Sequence, residues 1–289
     1  HNERRVLQVL RRMGRASKAD IARVANLTNA AVGSIVSSLE KQNLIVSGKK
    51  RKKGQRGQPA TLLHLNPTGA YGIGVRLERN SIQTVLIDFD GNILSKLSHE
   101  AILPQPNEAL TTVCRDIETI LATLPKESAS RLTGIGLAKP YNLGSWLKEL
   151  DLPENSFKKW DSYDFSSELE KRTGIPVQEE NDGTAAAIAE LFYGAGREID
   201  NFLYLFFGPA IGGGIVLNGD IVRGHTGNAA DVGIMPVEPS TLKTAIKPSG
   251  EWDILLNRAS LNSLRRHLHT CYPEESFDTR TALENSIDK

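Results

Sequence analysis

Residues 17–39 read SKADIARVANLTNAAVGSIVSSL, and the spacing within this stretch decides the fold of the N-terminal region. Ser17-x-x-Asp20 has the form of a helix start, in which a hydroxyl and a carboxylate satisfy the first free backbone N–H groups. Ile21, Ala22 and Ala25 follow at helical spacing, and Asn26-Leu27-Thr28 reads as a tight turn. Thr28 is placed to cap a second helix, in which Val32, Ile35, Val36 and Leu39 recur at i, i+3, i+4 and i+7. The opposite face holds Asn29, Ala30, Gly33, Ser34 and Ser37, slim enough for a helix that must come close to base edges. The pair predicts a helix-turn-helix whose second helix reads DNA through Thr28, Asn29, Ala30, Ala31, Ser34 and Ser37.

Upstream, Val6, Leu7 and Leu10 mark one face of a short helix that stops near Gly14. Downstream, Leu44-Ile45-Val46 and Thr61–Leu65 read as two strands, separated by a basic loop from Gly48 to Pro59. A charge run by itself is a solvated face or a linker. Between two strands that follow a helix-turn-helix it reads as a wing, with Lys49, Lys50, Arg51, Lys52 and Lys53 neutralising phosphates. Arg56, Gly57 and Gln58 have a second use. An Arg flanked by Gly fits the narrow minor groove of A·T-rich DNA, although a plain linker turn accounts for the same residues.

The charge balance agrees. The 289 residues carry a formal net charge of +1, but residues 1–66 hold 14 Lys and Arg against 3 Asp and Glu, a net of +11. Residues 67–289 are left with a net of −10. Such asymmetry indicates a polyanion-binding head on an acidic body. At 39% hydrophobic residues the chain is neither disordered nor collagen-like, and it has no apolar run of membrane-span length. Two cysteines, Cys114 and Cys271, fit a reducing, cytoplasmic compartment and cannot build a zinc cluster alone.

From Tyr71 onward strands and helices alternate. Gly72–Val75, Ile82–Asp88 and Ile93–Leu97 read as three strands, and Leu110 to Leu124 as a helix with Cys114 in its apolar stripe. Gly134–Ala138, Phe165–Arg172 and Ile175–Glu179 continue as strand, helix, strand. Asn201–Phe207, Gly214–Leu217 and Ile221-Val222 then repeat the three-strand theme, Asn218-Gly219-Asp220 mirroring Asp90-Gly91-Asn92. A duplicated meander in an α/β chain points to two similar halves.

Several consecutive motifs give this pattern a resemblance. Lys18-Ala-Asp-Ile-Ala22 through Ile45, Gln55-Arg-Gly-Gln-Pro-Ala60, Glu180-Asn-Asp-Gly-Thr-Ala-Ala-Ala187, Gly208-Pro-Ala-Ile-Gly-Gly-Gly214 and Gly224-His-Thr-Gly-Asn-Ala-Ala-Asp-Val-Gly233 resemble, in that order, segments of the ROK family of repressors and sugar kinases. The similarity runs from about Arg4 to about Ser263 and is nearest to repressors of the N-acetylglucosamine or xylose kind. It implies an α/β fold: an N-terminal winged helix-turn-helix (1–66) and an actin-like, two-lobed α/β body (67–289, lobes about 67–180 and 181–289). Family chains continue with further C-terminal helices, so the body is expected to be incomplete at that end.

The resemblance also implies a site, with departures. Asp182 matches the family's catalytic base, and Asn181, Asp182, Asn228 and Asp231 match positions around the sugar. An amide beside a carboxylate suits sugar hydroxyls. Capping the following alanine-rich helix explains Asn181-Asp182 equally well. The family's first phosphate loop is replaced by Gly74-Val-Arg-Leu-Glu-Arg-Asn80, and its second reads Gly208-Pro209-Ala210, where proline removes an N–H donor. These losses predict that Asp182 is a vestigial base and that no phosphoryl transfer occurs. Ile234 replaces the family's zinc-binding His and no cysteine precedes Cys271 in this region, so no metal and no cofactor are expected. Asp231 for Glu and Ile234 for His leave a polyol, an altered sugar and loss of the effector all open. Trp146 is assigned to the core. The expected partners are double-stranded operator DNA, a small sugar or polyol, and a second copy in a homodimer or higher homo-oligomer.

Overall fold

A computed structural model of the chain describes residues 2–48 and 61–277. Its residues form two compact units, each discontinuous in sequence: His1–Pro140, Tyr163–Glu180 and Ile188–Asp200 make the first, and Tyr141–Ser162, Asn181–Ala187 and Asn201–Lys289 the second.

The first unit begins with α1 (Asn2–Met13), α2 (Lys18–Ala25) and α3 (Asn29–Lys41), followed by β1 (Ile45–Ser47) and β2 (Leu63–Leu65). Ser17 closes the expected capping box with Asp20, and the Thr28 hydroxyl accepts from the Ala31 N–H at 3.2 Å. Asn26 ends α2 in the left-handed conformation, φ 51°, which an Asn tolerates better than most residues and which turns the chain into α3. Val6, Leu10, Ile21, Val32, Val36, Leu39, Ile45 and Leu63 are fully buried together, so three short helices and a hairpin share one core. β1 and β2 pair antiparallel with Ile45 opposite Leu65, and Ala16 bridges to Leu63 as a third strand-like edge. The expected wing residues 49–58 lie outside the described residues.

The Ser17 hydroxyl and backbone N–H hold the Asp20 carboxyl below its ordinary 3.8. A carboxylate whose folded value is depressed stabilises fully above its unfolded value, and that contribution is lost as pH falls through the folded one. Chemical unfolding of the wild type should therefore show stability falling from about pH 4 downward. Asp20→Asn should flatten that slope and lower stability at neutral pH.

The rest of the first unit is a five-stranded sheet in the order β5-β4-β3-β6-β7. Its strands are β3 (Tyr71–Glu78), β4 (Ser81–Asp88), β5 (Ile93–Glu100), β6 (Leu132–Lys139) and β7 (Val177–Asn181). β3, β4 and β5 form an antiparallel meander, and β6 runs parallel to β3. The strict alternation of burial along β3 puts Tyr71, Ile73, Val75 and Leu77 against the helices. α4 (Pro106–Leu121), α5 (Lys126–Ala129) and α6 (Phe165–Thr173) complete this part, Pro106 standing in the first turn of α4, where its missing N–H costs nothing. Cys114 is only half-buried on α4, and desolvation pushes its thiol above the ordinary value.

β3 corrects one expectation. Arg76, Leu77 and Glu78, expected to lie in a bulky replacement of the phosphate loop beyond a strand ending at Val75, continue β3, because Glu78 pairs with Ser81 across a two-residue turn at Arg79-Asn80.

α7 (Asp182–Tyr193) starts in the second unit and ends in the first. The second unit contains β8 (Phe202–Phe207), β9 (Ile211–Leu217) and β10 (Asp220–Val222), an antiparallel sheet in the order β10-β9-β8. The strand meander thus occurs twice in the chain. β9 begins three residues earlier than the sequence indicated, since Ile211, Gly212 and Gly213 pair with Phe207, Phe206 and Leu205. β11 (Pro236–Val237), β12 (Asp253–Ile254), α8 (Leu255–Ala259) and α9 (Leu261–Cys271) follow. Trp146 is not a core residue: it is 37% exposed and sits at φ 61°, in a segment where Asp151 and Phe157 are also left-handed. No helix among the described residues is long and apolar enough to cross a membrane.

Candidate nucleic-acid interface and effector site

Of the predicted reading residues, Thr28 at the cap of α3 and Asn29, Ala30, Ser34 and Ser37 on it are exposed, and Ala31 is half-buried. A methyl group added at Gly33 would meet nothing within 4 Å, so this face is both smooth and open. Ser38, one residue beyond it, donates to Glu3 at 3.1 Å and accepts from Gln42 at 3.0 Å, which closes the end of the face. Of the other predicted DNA contacts, Lys49, Lys50, Arg51, Lys52, Lys53, Arg56, Gly57 and Gln58 lie outside the described residues.

The two segments that carry the four predicted effector residues both adjoin one glycine of β9 in the second unit. A methyl group at Gly183, next to Asp182, would lie 2.3 Å from the Gly213 carbonyl oxygen. A methyl group at Gly213 would lie 3.5 Å from both Ala230 Cβ and Ala230 O, next to Asp231. Gly213 therefore has the Asn181-Asp182 turn and the Asn228–Asp231 loop as neighbours. The backbones approach this closely only because side chains are absent there. The Asn181 side-chain oxygen accepts from the Thr184 N–H at 3.1 Å and caps α7, while its amide donates to Asp182 Oδ1 at 3.2 Å. The same Asp182 oxygen accepts from the Gly183 N–H at 2.8 Å. The capping use of Asn181 is thus realised, and it orients the amide and carboxylate as a pair.

Burial raises the Asp231 carboxyl above its ordinary value, against the opposing effect of a hydrogen bond to Asn228. A carboxylate held with a raised folded value is a cost once ionised, so its neutral form stabilises at low pH and that benefit disappears as pH rises. Asp231→Asn is expected to raise the thermal midpoint at pH 7 and to leave it nearly unchanged near pH 3. Thermal melts at the two pH values measure this.

Both segments matched to the family's phosphate loops depart from them in structure as well as in sequence. Glu78, at the β3–β4 turn, pairs with the Arg76 guanidinium and accepts from the Ser81 hydroxyl at 2.8 Å, so a carboxylate is fixed there. At the second place the Gly208 N–H donates to the Ala210 carbonyl at 2.9 Å, and the Gly208 carbonyl accepts from Leu261 at 2.9 Å. The loop spends its own donor internally, and Pro209 contributes none. The residues do not fit the family's zinc centre either. Ile234 is exposed where a ligand would stand, and His225, also exposed, has no companions in any metal-binding group among the described residues.

Comparison with known proteins agrees with this composition of head and body. A model for winged helix-turn-helix DNA-binding domains matches residues 1–46. The chain belongs to the ROK family, whose model matches residues 72–280. It is 25% identical to the xylose repressor of Bacillus spizizenii over 266 residues, which is 91% of this chain and 68% of that protein. It is 34% identical to the glucokinase of Thermotoga maritima over 219 residues, 75% of this chain and 66% of the enzyme. Among solved structures, a ROK family transcriptional regulator described as a homologue of the Escherichia coli MLC protein covers 95% of this chain and 68% of its own, with a TM-score of 0.66 at 24% identity. The body therefore has the actin-like α/β fold of ROK proteins. The chain spans about two thirds of the length of the curated relatives it matches.

What the sequence did not reveal is a joint between α1 and the sheet region of the first unit. Arg11 and Arg12, counted from sequence among the basic residues of the head, are engaged there rather than free for DNA. Their only local signal is a pair of basic residues in the last turn of a helix, where capping or the helix dipole explains them as well.

Proposed function

We propose that the chain is a DNA-binding transcriptional repressor of carbohydrate metabolism whose body takes a sugar or polyol and transfers no phosphate. The observation that carries this reading is the union of a helix-turn-helix, slim on its reading face and followed by the β1–β2 pair, with a ROK body that has Glu78 and Pro209 where the family's phosphate loops are matched. In this reading the division falls at residue 66, with the DNA head before it and the effector and oligomerisation body after it. Asn181, Asp182, Asn228 and Asp231 hydrogen-bond the hydroxyls of the effector. Two copies read a two-fold operator from the cytoplasm, and effector binding changes operator affinity through a coupling of roughly 1–3 kcal/mol.

The second reading, a sugar kinase carrying a DNA-binding domain, is favoured by the retained Asp182 and by the similarity to a glucokinase. Coupled ATP-consumption assays with pentoses, hexoses, N-acetylhexosamines and polyols separate the two. The proposal expects no turnover above background with any of them. Turnover that disappears in Asp182→Asn would establish the kinase reading instead.

A further inference from the structure

The winged helix is fastened to the body by two arginines and two aromatic rings. The Arg11 guanidinium donates to the Phe89 carbonyl at 2.9 Å and to the Tyr193 hydroxyl at 2.5 Å. It lies 5.2 Å from the Phe89 ring centroid and 5.3 Å from that of Tyr193, over both π faces. Phe89 also packs against the hydrophobic core of the head itself. Next along α1, the Arg12 guanidinium donates to the Arg197 carbonyl at 3.1 Å and to Asp200 at 2.7 Å, while the Arg197 side chain donates back to the Arg12 carbonyl at 2.8 Å.

The partner surface is prepared for these contacts. Phe89 sits in the β4–β5 turn, which is held by Asp88 accepting from the Asp90 and Asn92 N–H groups at 2.9 Å each and from the Asn92 amide at 2.8 Å. In that turn Gly91, φ 91°, leaves room for the Tyr193 ring, since a methyl group there would lie 2.0 Å from it. Gly14, φ 68°, ends α1 where Arg197 crosses, its added methyl meeting the Arg197 guanidinium at 3.3 Å. A reciprocal, hydrogen-bonded pair of this kind fixes orientation as well as contact.

Tyr193 is the last residue of α7, and Asp182 is the first. One helix of 12 residues, about 17 Å long, joins the candidate effector pair to the head's attachment. An α-helix transmits displacement along its axis with little loss, because its hydrogen bonds run in that direction.

We infer that Arg11 and Arg12 are positioning residues, not phosphate contacts: through Phe89, Tyr193, Arg197 and Asp200 they set the orientation of the DNA-reading head, and α7 is the strut that links this joint to the Asn181-Asp182 pair. The inference rests on the DNA-binding reading above. A two-fold operator tests it, because a dimer that reads two half-sites needs both heads held at one spacing, whereas non-specific binding does not.

The experiment uses the whole chain and two fluorescent duplexes, one selected from a random library by the wild type and one of scrambled sequence. Tyr193→Ala and Arg197→Ala lie on the body, away from α3. Each should weaken binding to the selected duplex about 5-fold or more and change binding to the scrambled duplex less than about 2-fold. Arg11→Ala combined with Tyr193→Ala should be no worse than either alone. Tyr193→Phe keeps the ring and loses only the hydroxyl contact; it should fall between wild type and Tyr193→Ala, which keeps the test informative if the alanine variant unfolds. Amide hydrogen exchange supplies the second readout: Asn181→Ala, at the far end of α7, should speed exchange in residues 9–14.

Equal losses on both duplexes from Arg11→Ala, with Tyr193→Ala neutral, would make Arg11 a phosphate contact and overturn the inference. Unchanged exchange in residues 9–14 would overturn the role of α7. Absence of DNA binding by the wild type would instead remove the functional reading on which the inference rests.

Discussion

Replacing Lys49, Lys50, Arg51, Lys52 and Lys53 together by Gln is expected to weaken binding to double-stranded DNA by roughly two to three orders of magnitude near physiological salt. Each cation that meets a phosphate releases about 0.9 of a condensed counterion, so each lost contact also lowers the slope of log affinity against log salt by about 0.9. The quintuple variant should therefore show a slope shallower by about 3–5. Fluorescence anisotropy at several salt concentrations measures both quantities. Because the substitutions remove charge and leave the described core of the head, from Val6 to Leu65, unaltered in sequence, the thermal midpoint should stay where it is. A large loss of affinity with an unchanged slope would mean that the wing acts by shape and not by charge.

The second large effect is expected from Gly183→Val. The added Cβ would stand 2.3 Å from the Gly213 carbonyl oxygen and 2.9 Å from the carbon and nitrogen of the same residue. All three are backbone atoms of β9, tied into the ladder with β8, so no flexible side chain can move aside. Forced separation of α7 from β9 should cost about 1–3 kcal/mol or more, the range for overpacking a tight site. It should also part Asp182 from the Asn228–Asp231 loop, so any thermal shift that a sugar or polyol gives the wild type should vanish. Gly212→Ala is the control. It lies one residue from Gly213 on the same strand, with nothing within 4 Å of an added methyl group, and should behave as the wild type in both measurements. Equal effects of the two substitutions would show that strand flexibility, not the α7–β9 contact, was at work.

The helix-turn-helix was legible because its signals are local. Ser17, Asp20 and Thr28 mark where backbone N–H groups need partners, and Val32, Val36 and Leu39 fall on one face by period alone. Strand ends were less legible because pairing decides them. Glu78 stays in β3 because Ser81 stands opposite it, and Gly212 and Gly213 are strand residues because β8 lies alongside, though glycine is a poor strand former. The candidate effector residues rest on motif resemblance. That their two segments both adjoin Gly213 needed the fold, because Asp182 and Asp231 are far apart in the chain and Gly212 and Gly213 between them read as loop. Arg11 and Arg12 were the largest omission. Nothing near them in sequence indicates Phe89, Tyr193 or Asp200, and a net charge of +11 for residues 1–66 does not tell cations that face DNA from cations that face the body. Two of the 14 are committed to the body.

The claim at the centre of this account is that one chain joins a charge-driven DNA reader to a sugar-responsive body. Its most direct test is a salt titration of binding to a duplex selected by the protein itself, repeated with pentoses, hexoses and polyols present. The predicted result is an affinity that falls linearly on a log–log plot with a slope of about −5 or steeper, and that changes about 5-fold or more with at least one of these compounds. Binding indifferent to salt, or salt-dependent binding that no sugar or polyol alters, would contradict it.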